Sequence, residues 1–216
     1  MNTPVVTPPD TNAVTRTQRR SADMRRTLIE VAETLLIEGG ASAVTAEEVA
    51  RLADVSLQTV YNRVGGKPAL LLAIAERAME ENRQYIDEAY DGGGNAEERG
   101  WRIFHAYVRF ALERPHQFRI LANPPEAPEA IARMAVMAQE QNARLASIIR
   151  DGIAENRVNP ALDPDSTANA LWAMLNGLLC LALRNDALRP GTVSPEALVQ
   201  AALMMIQFGL RVREED

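Results

Sequence analysis

The chain has 216 residues, 47% of them apolar, which is enough for one large domain or a small domain joined to a larger one and argues against global disorder. A net charge of −6 argues against a nucleic-acid coat, and the single cysteine, Cys180, excludes an intramolecular disulfide and any multi-cysteine zinc site. The acidity is uneven: residues 1–67 hold eight basic and eight acidic residues, so the whole deficit falls on the remainder. No apolar run approaches the ~18 residues of a membrane span, and the N-terminus lacks the apolar core of a signal peptide. A reducing, cytoplasmic location is the expectation.

Residues 1–20 contain three prolines and no apolar period. They read as a flexible tail ending in a basic cluster, Arg16, Arg19 and Arg20, continued by Arg25 and Arg26. A wet terminus and an arm touching DNA both fit. A first helix is expected from Ser21, as its cap, to Glu38, with Met24, Leu28, Val31, Ala32, Leu35 and Leu36 on one stripe and Gly39-Gly40 as the stop. Thr45-Ala-Glu-Glu48 then reads as a capping box opening a two-turn helix. Ala53-Asp54-Val55-Ser56 is a turn in which Asp54 must take a positive φ, a role usually left to glycine. Ser56 caps a third helix from Leu57 to Val64, ended by Gly65-Gly66.

A long fourth helix opens at Lys67-Pro68, where proline's missing N–H needs no partner, and runs to Tyr90 before the break Asp91–Gly94. The fifth, Ala96 to Glu113, is apolar over much of its circumference, the mark of a helix inside a bundle. Its polar stripe is Arg102, His105 and Arg109, with Glu98 and Glu113 placed for i,i+4 pairing. A short helix over Pro115–Leu121 follows, then one over Glu129–Asn156 with Ile131, Met134, Ala138, Leu145, Ile148 and Ile153 facing in. The last two start at Asp163-Pro164 and Ser194-Pro195, cap then proline, and run to Arg184 and Arg213. No strand pattern competes, so the fold class is all-α, with about nine helices. The expected domains are a tail (1–20), a helix-turn-helix domain (21–66) and a helical bundle (67–216).

A helix-turn-helix lays its second helix in the major groove while the first crosses the backbone. Val60 and Val64 of the third helix can pack inward, leaving Gln58, Thr59, Asn62 and Arg63 outward. Gln and Asn suit bidentate bonds to adenine, and Thr59 suits a thymine methyl or a phosphate. Tyr61, Arg63 and Lys67 suit phosphate oxygens, which fix register without reading sequence. A generic helical hairpin with a solvated polar face fits the spacing as well.

The local wording is more specific. Ala50, Val55-Ser56, Thr59-Val60-Tyr61, Gly66-Lys67 and Leu70, within residues 24–72, resemble the DNA-binding domain of the TetR family of bacterial transcriptional regulators. Two departures are Asp54, in place of the usual turn glycine, and Val64, where many relatives carry an aromatic residue. The resemblance implies a dimer whose third helices read a palindromic double-stranded DNA operator. It makes Gln58, Thr59 and Asn62 candidate base readers, and Thr45, Tyr61, Arg63 and Lys67 candidate phosphate contacts. Ser56, at the cap, counts among the DNA-facing residues. The rest resembles the family's ligand-binding and dimerisation domain in layout only. It implies a homodimer through the last two helices, 164–184 and 195–213, with Ala201, Ala202 and Gly209 allowing close approach. It also implies a small-molecule effector pocket among helices four to eight, for which Trp101, Phe104, His105, Phe110, Phe118, Met134, Met137 and Trp172 are candidates. The Arg102–His105–Arg109 stripe is a candidate for greeting an anionic ligand. Ligand binding would act through the fourth helix to release a repressor from DNA.

No cofactor or metal is expected. A helical enzyme lacks support, because His105 and His116 are isolated and no nucleophile–base pair or phosphate loop is present. A protein-interaction module that has lost DNA binding remains as an alternative, favoured by Asp54 and the acidic total.

Overall fold

A computed structural model describes residues 16–184, 186, 188, 191 and 194–211. Among these the chain forms α1 (Arg16–Ala43), α2 (Ala46–Leu52), α3 (Leu57–Arg63), α4 (Lys67–Tyr90), α5 (Ala96–Glu113), α6 (Pro115–Ala122), α7 (Pro128–Ala154), α8 (Pro164–Ala182) and α9 (Pro195–Leu210). No strand forms among the described residues beyond one isolated antiparallel bridge, Val158 to Arg211. Among the described residues no helix is long and apolar enough to cross a membrane. The chain divides into two compact units, Met1–Ile74 and Ala75–Asp216, a division that falls inside α4.

The first unit holds α1, α2, α3 and the start of α4. Leu28, Ile29 and Ala32 of α1, Val49 and Ala50 of α2, Val60 of α3 and Leu70 of α4 are all buried. These are the apolar positions spaced three and four apart that a helix gathers on one face. The structure corrects the start of α1. It begins at Arg16, so Arg16, Arg19 and Arg20 are exposed helical residues, not part of a tail, and Ser21 lies inside the helix instead of capping it. The remaining tail, residues 1–15, lies outside the described residues. Gly40 breaks the helical path at φ 69° and ψ −174°, which makes the Gly39-Gly40 stop a kink three residues before Ala43. Val64 is half-buried and closes α3 with its N–H on the Val60 carbonyl.

In the second unit a core of Phe104, Val108, Phe110, Ala111, Phe118, Leu179 and Val199 joins residues of α5, α6, α8 and α9. α7 packs on both α5 and α8. Caps define these helices locally. Asn95 accepts from the Glu98 N–H at 3.0 Å while the Glu98 carboxylate takes the Asn95 N–H at 3.1 Å, a reciprocal capping box. Asp163 accepts from Ser166 N–H at 2.9 Å and Ser194 from Ala197 N–H at 3.2 Å, each followed by its proline. The Ser166 hydrogen bonds hold the Asp163 carboxyl below its ordinary range. Ile131, expected to face in, is exposed on α7.

Candidate nucleic-acid interface and ligand cavity

The turn between α2 and α3 depends on one residue. Asp54 takes φ 53°, the left-handed region that a non-glycine residue enters at a cost. Ala53 N–H closes on the Val49 carbonyl and Val55 N–H on the Ala50 carbonyl, both at 3.0 Å, which turns the chain into α3. Thr45 caps α2 by accepting from the Glu48 N–H at 3.1 Å. The expected capping box is only half formed there, because the Glu48 carboxylate instead takes Arg51 Nη2 at 2.8 Å and Nε at 3.0 Å. That hydrogen bond lowers the Glu48 pKa.

α3 is anchored by Val60, which is fully buried. Gln58, Tyr61, Asn62 and Arg63 are exposed on the same short helix, and Thr59 and Lys67 are half-buried. Their side chains are already organised. Ser56 Oγ accepts the Thr59 N–H at 3.1 Å and lies 2.8 Å from Thr59 Oγ1. Gln58 Nε2 donates to Asn62 Oδ1 at 2.9 Å, an i,i+4 bridge along the outward face. Arg63 Nη1 donates to Ser21 Oγ at 2.6 Å, a contact with α1 that sequence spacing alone did not suggest. The surface thus offers two amide side chains linked to each other, a phenol and a guanidinium. That set suits base edges in a groove flanked by phosphates.

The second unit contains a cavity of about 570 Å³, within the range of small-molecule sites. Three of the expected residues line it, Trp101, Phe104 and Trp172. The other five do not. His105 is exposed, with its ring edge-on to Phe104. Phe110 and Phe118 are fully buried in the core and pack against Tyr107, with ring centroids 6.5 Å and 6.1 Å from it. Met134 and Met137 are buried in α7 without reaching the cavity. α9 supplies Ile206, Gln207 and Leu210, and α6 supplies nothing, so the enclosing set is not helices four to eight.

Sequence reading missed Tyr90, Tyr107, Leu145 and Ile148, together with the loop residues Arg157 and Val158. One signal was present. Glu97, Gly100, Trp101, Phe104 and Tyr107 recur three and four apart on α5, with a glycine where a larger residue would fill the space. A Cβ built at Gly100 meets nothing within 4 Å.

The cavity's polar groups are mostly engaged. Tyr107 OH donates to Asn176 Oδ1 at 2.8 Å and Tyr90 OH to the Gln141 carbonyl at 3.2 Å. Burial pushes the Tyr90 phenol up to about 12 and the Tyr107 phenol higher still. The Arg102–His105–Arg109 stripe does not act as a unit. Arg102 Nη2 donates to the Gly92 and Gly93 carbonyls, each at 2.6 Å, and Arg109 sits 5.1 Å from the Tyr85 ring centre. Glu98 and Glu113 are engaged elsewhere, by the capping box and by Tyr85 OH at 2.7 Å, so the expected i,i+4 pairs are absent. Among the described residues no cluster of three or more His, Cys, Asp or Glu could hold a metal ion.

Comparison with known proteins places this geometry. Residues 28–74 match the family model for bacterial regulatory proteins of the tetR family. Residues 102–206 match the tetracyclin repressor-like C-terminal domain. An uncharacterized HTH-type transcriptional regulator of Bacillus subtilis, YhgD, is 26% identical over 161 residues, covering 74% of this chain and 84% of its own. The fold is shared with the MbdR regulator of Azoarcus sp. CIB, at TM-score 0.71 and 18% identity, over 88% of this chain and 100% of that one. It is also shared with the ketosteroid transcriptional regulator KstR2 of Mycobacterium tuberculosis, at TM-score 0.67 and 17% identity, over 88% and 95%. Two models of one family, matching in chain order the helix-turn-helix and the bundle that carries the cavity, show that the chain belongs to the TetR family of DNA-binding transcriptional regulators.

Proposed function

We propose that this protein is a repressor that binds a palindromic operator as a homodimer, reads it with α3 and is released by a small molecule held in the second unit's cavity. The observation that carries the reading is the outward face of α3. Gln58 and Asn62 stand exposed and bonded to each other on a helix fixed from behind by buried Val60. On this reading Gln58, Thr59 and Asn62 contact base edges, while Thr45, Tyr61, Arg63 and Lys67 hold phosphates. Ser56 sets the start of the helix. Two copies join through α8 and α9, and the protein works in the cytoplasm, beside the genome. Ligand acts by favouring the state that binds DNA less well, by no more than its difference in affinity for the two states.

A salt series of mobility-shift titrations on genomic fragments tests this. The dimer is expected to bind one class of fragment tightly, with log affinity falling linearly as log salt rises. Lys67→Gln should weaken every site alike and reduce the salt slope by about one. Gln58→Ala and Asn62→Ala should each change preference at one base position, by about 1–3 kcal/mol. A protein that prefers no fragment over competitor DNA would refute the reading.

A further inference from the structure

We propose that the cavity takes an uncharged, largely apolar ligand with an aromatic body, and that Glu97 at its rim keeps anions out. The proposal rests on the cavity being the effector site and adds the chemistry of its occupant. The walls supply Trp101, Phe104, Tyr107 and Trp172 together with branched aliphatic side chains of α7 and α8, a surface that gains most from burying rings.

Charge is confined to three lining residues, Glu97, Arg157 and Arg211, whose excess of one positive charge is offset by Glu155, paired with Arg157 just outside the lining. Glu97 Oε2 takes Arg157 Nη1 at 3.2 Å, and its Oε1 lies 3.9 Å from Arg211 Nη2. Arg157 Nε is also 3.6 Å from Glu155 Oε2. An incoming anion therefore meets no free cation among the described lining residues. To capture either arginine it must break that arginine's pairing and lie beside the Glu97 carboxylate. An organic cation fares no better, because the one lining carboxylate is already shared by two guanidiniums. Most polar atoms are also bonded within the protein: Gln141 Nε2 to Asn82 Oδ1 at 2.8 Å, and Asn142 Nδ2 to Asn169 Oδ1 at 3.0 Å.

Two fluorescent probes with the same arylamine body test the proposal on the full chain. N-phenyl-1-naphthylamine is neutral, and 1-anilinonaphthalene-8-sulfonate adds one negative charge. The neutral probe is expected to bind about tenfold more tightly or better. Gly100→Leu, whose side chain grows into open space on a helix, should weaken the neutral probe by about tenfold and keep the helical circular-dichroism signal. Glu97→Gln removes the carboxylate that Arg157 and Arg211 share, leaving Arg211 unpaired and Arg157 with Glu155 alone, and should raise sulfonate affinity by about fivefold, leaving the neutral probe within about twofold. This second variant stands even if Gly100→Leu fails to fold. Equal or tighter binding of the sulfonate by the wild-type chain overturns the proposal, and so does neutral-probe binding that a folded Gly100→Leu does not reduce. Operator release is followed in parallel. A neutral probe that fills the cavity and leaves DNA bound supports the ligand class and removes the effector reading.

Discussion

Asp54 shows how one residue can carry a motif against its own preference. The turn from α2 into α3 needs a positive φ, and glycine meets that need without a Cβ clash. Asp is among the few other residues that visit this region, which is why the turn survives at φ 53°. Asp54→Gly should hold stability or raise it by up to about 1 kcal/mol, because relief of strain outweighs the added freedom of the unfolded chain. Asp54→Val should lower it by about 1–2 kcal/mol, since a β-branched side chain is the worst fit to that region. Urea unfolding midpoints of the three proteins decide the matter, and a valine variant as stable as the wild type would contradict it. Gln58 and Asn62 are a second lesson at this scale. Their exposure follows from the buried position of Val60, two residues from each along the helix, whereas their mutual hydrogen bond depends on rotamers that no spacing specifies.

At the scale of elements, the connection between α4 and α5 is held by a side chain that sequence reading gave another task. Arg102 reaches back from α5 to the carbonyls of Gly92 and Gly93, and its Nε lies 3.4 Å from the Ala89 carbonyl. These oxygens belong to the end of α4 and the loop after it, where carbonyls lack intrahelical partners. The guanidinium fork suits several acceptors at once and an ammonium does not. Arg102→Ala should cost about 1.5–3 kcal/mol in thermal or denaturant unfolding. Arg102→Lys should recover less than half of that, and full recovery would show that charge alone matters. Gly92→Ala should also destabilise, because a Cβ there would stand 2.6 Å from Arg102 Nε. Much of the element plan was legible because its signals are local. Cap-then-proline marked the starts of α8 and α9, and Gly65 and Gly66 marked the end of α3. The start of α1 was not, since Arg16–Arg20 have no apolar period to announce a helix. The cavity was not legible either. Trp101 and Phe110 are alike as apolar residues of α5, and only the packing of distant helices decides which faces a space and which is enclosed.

At the scale of the whole molecule, an apolar face of α8 and α9 is exposed among the described residues. α9 is apolar at most positions, yet Val199 is its single buried residue among those described. Phe208 is 72% exposed, Met205 67% and Met204 55%, and α8 adds Met174 and Leu181. A lone exposed apolar side chain means little, but a contiguous set on two adjacent helices marks an interaction surface. A second copy can cover it with the same face turned through a two-fold axis. Such symmetry is what a palindromic operator requires, because each half-site needs its own α3 and the two must be held about one DNA turn apart. Met205→Glu with Phe208→Glu puts two charges on each side of that axis and should produce monomers. Both positions are exposed in the single chain, so the helical content and the unit's own core should remain. Sedimentation equilibrium is expected to give half the wild-type mass, and operator affinity should fall by about 100-fold or more, since the second head no longer binds at high local concentration. A double variant that stays dimeric would move the interface away from α9. A monomer that keeps full operator affinity would show that one α3 suffices, and would remove the need for a palindrome.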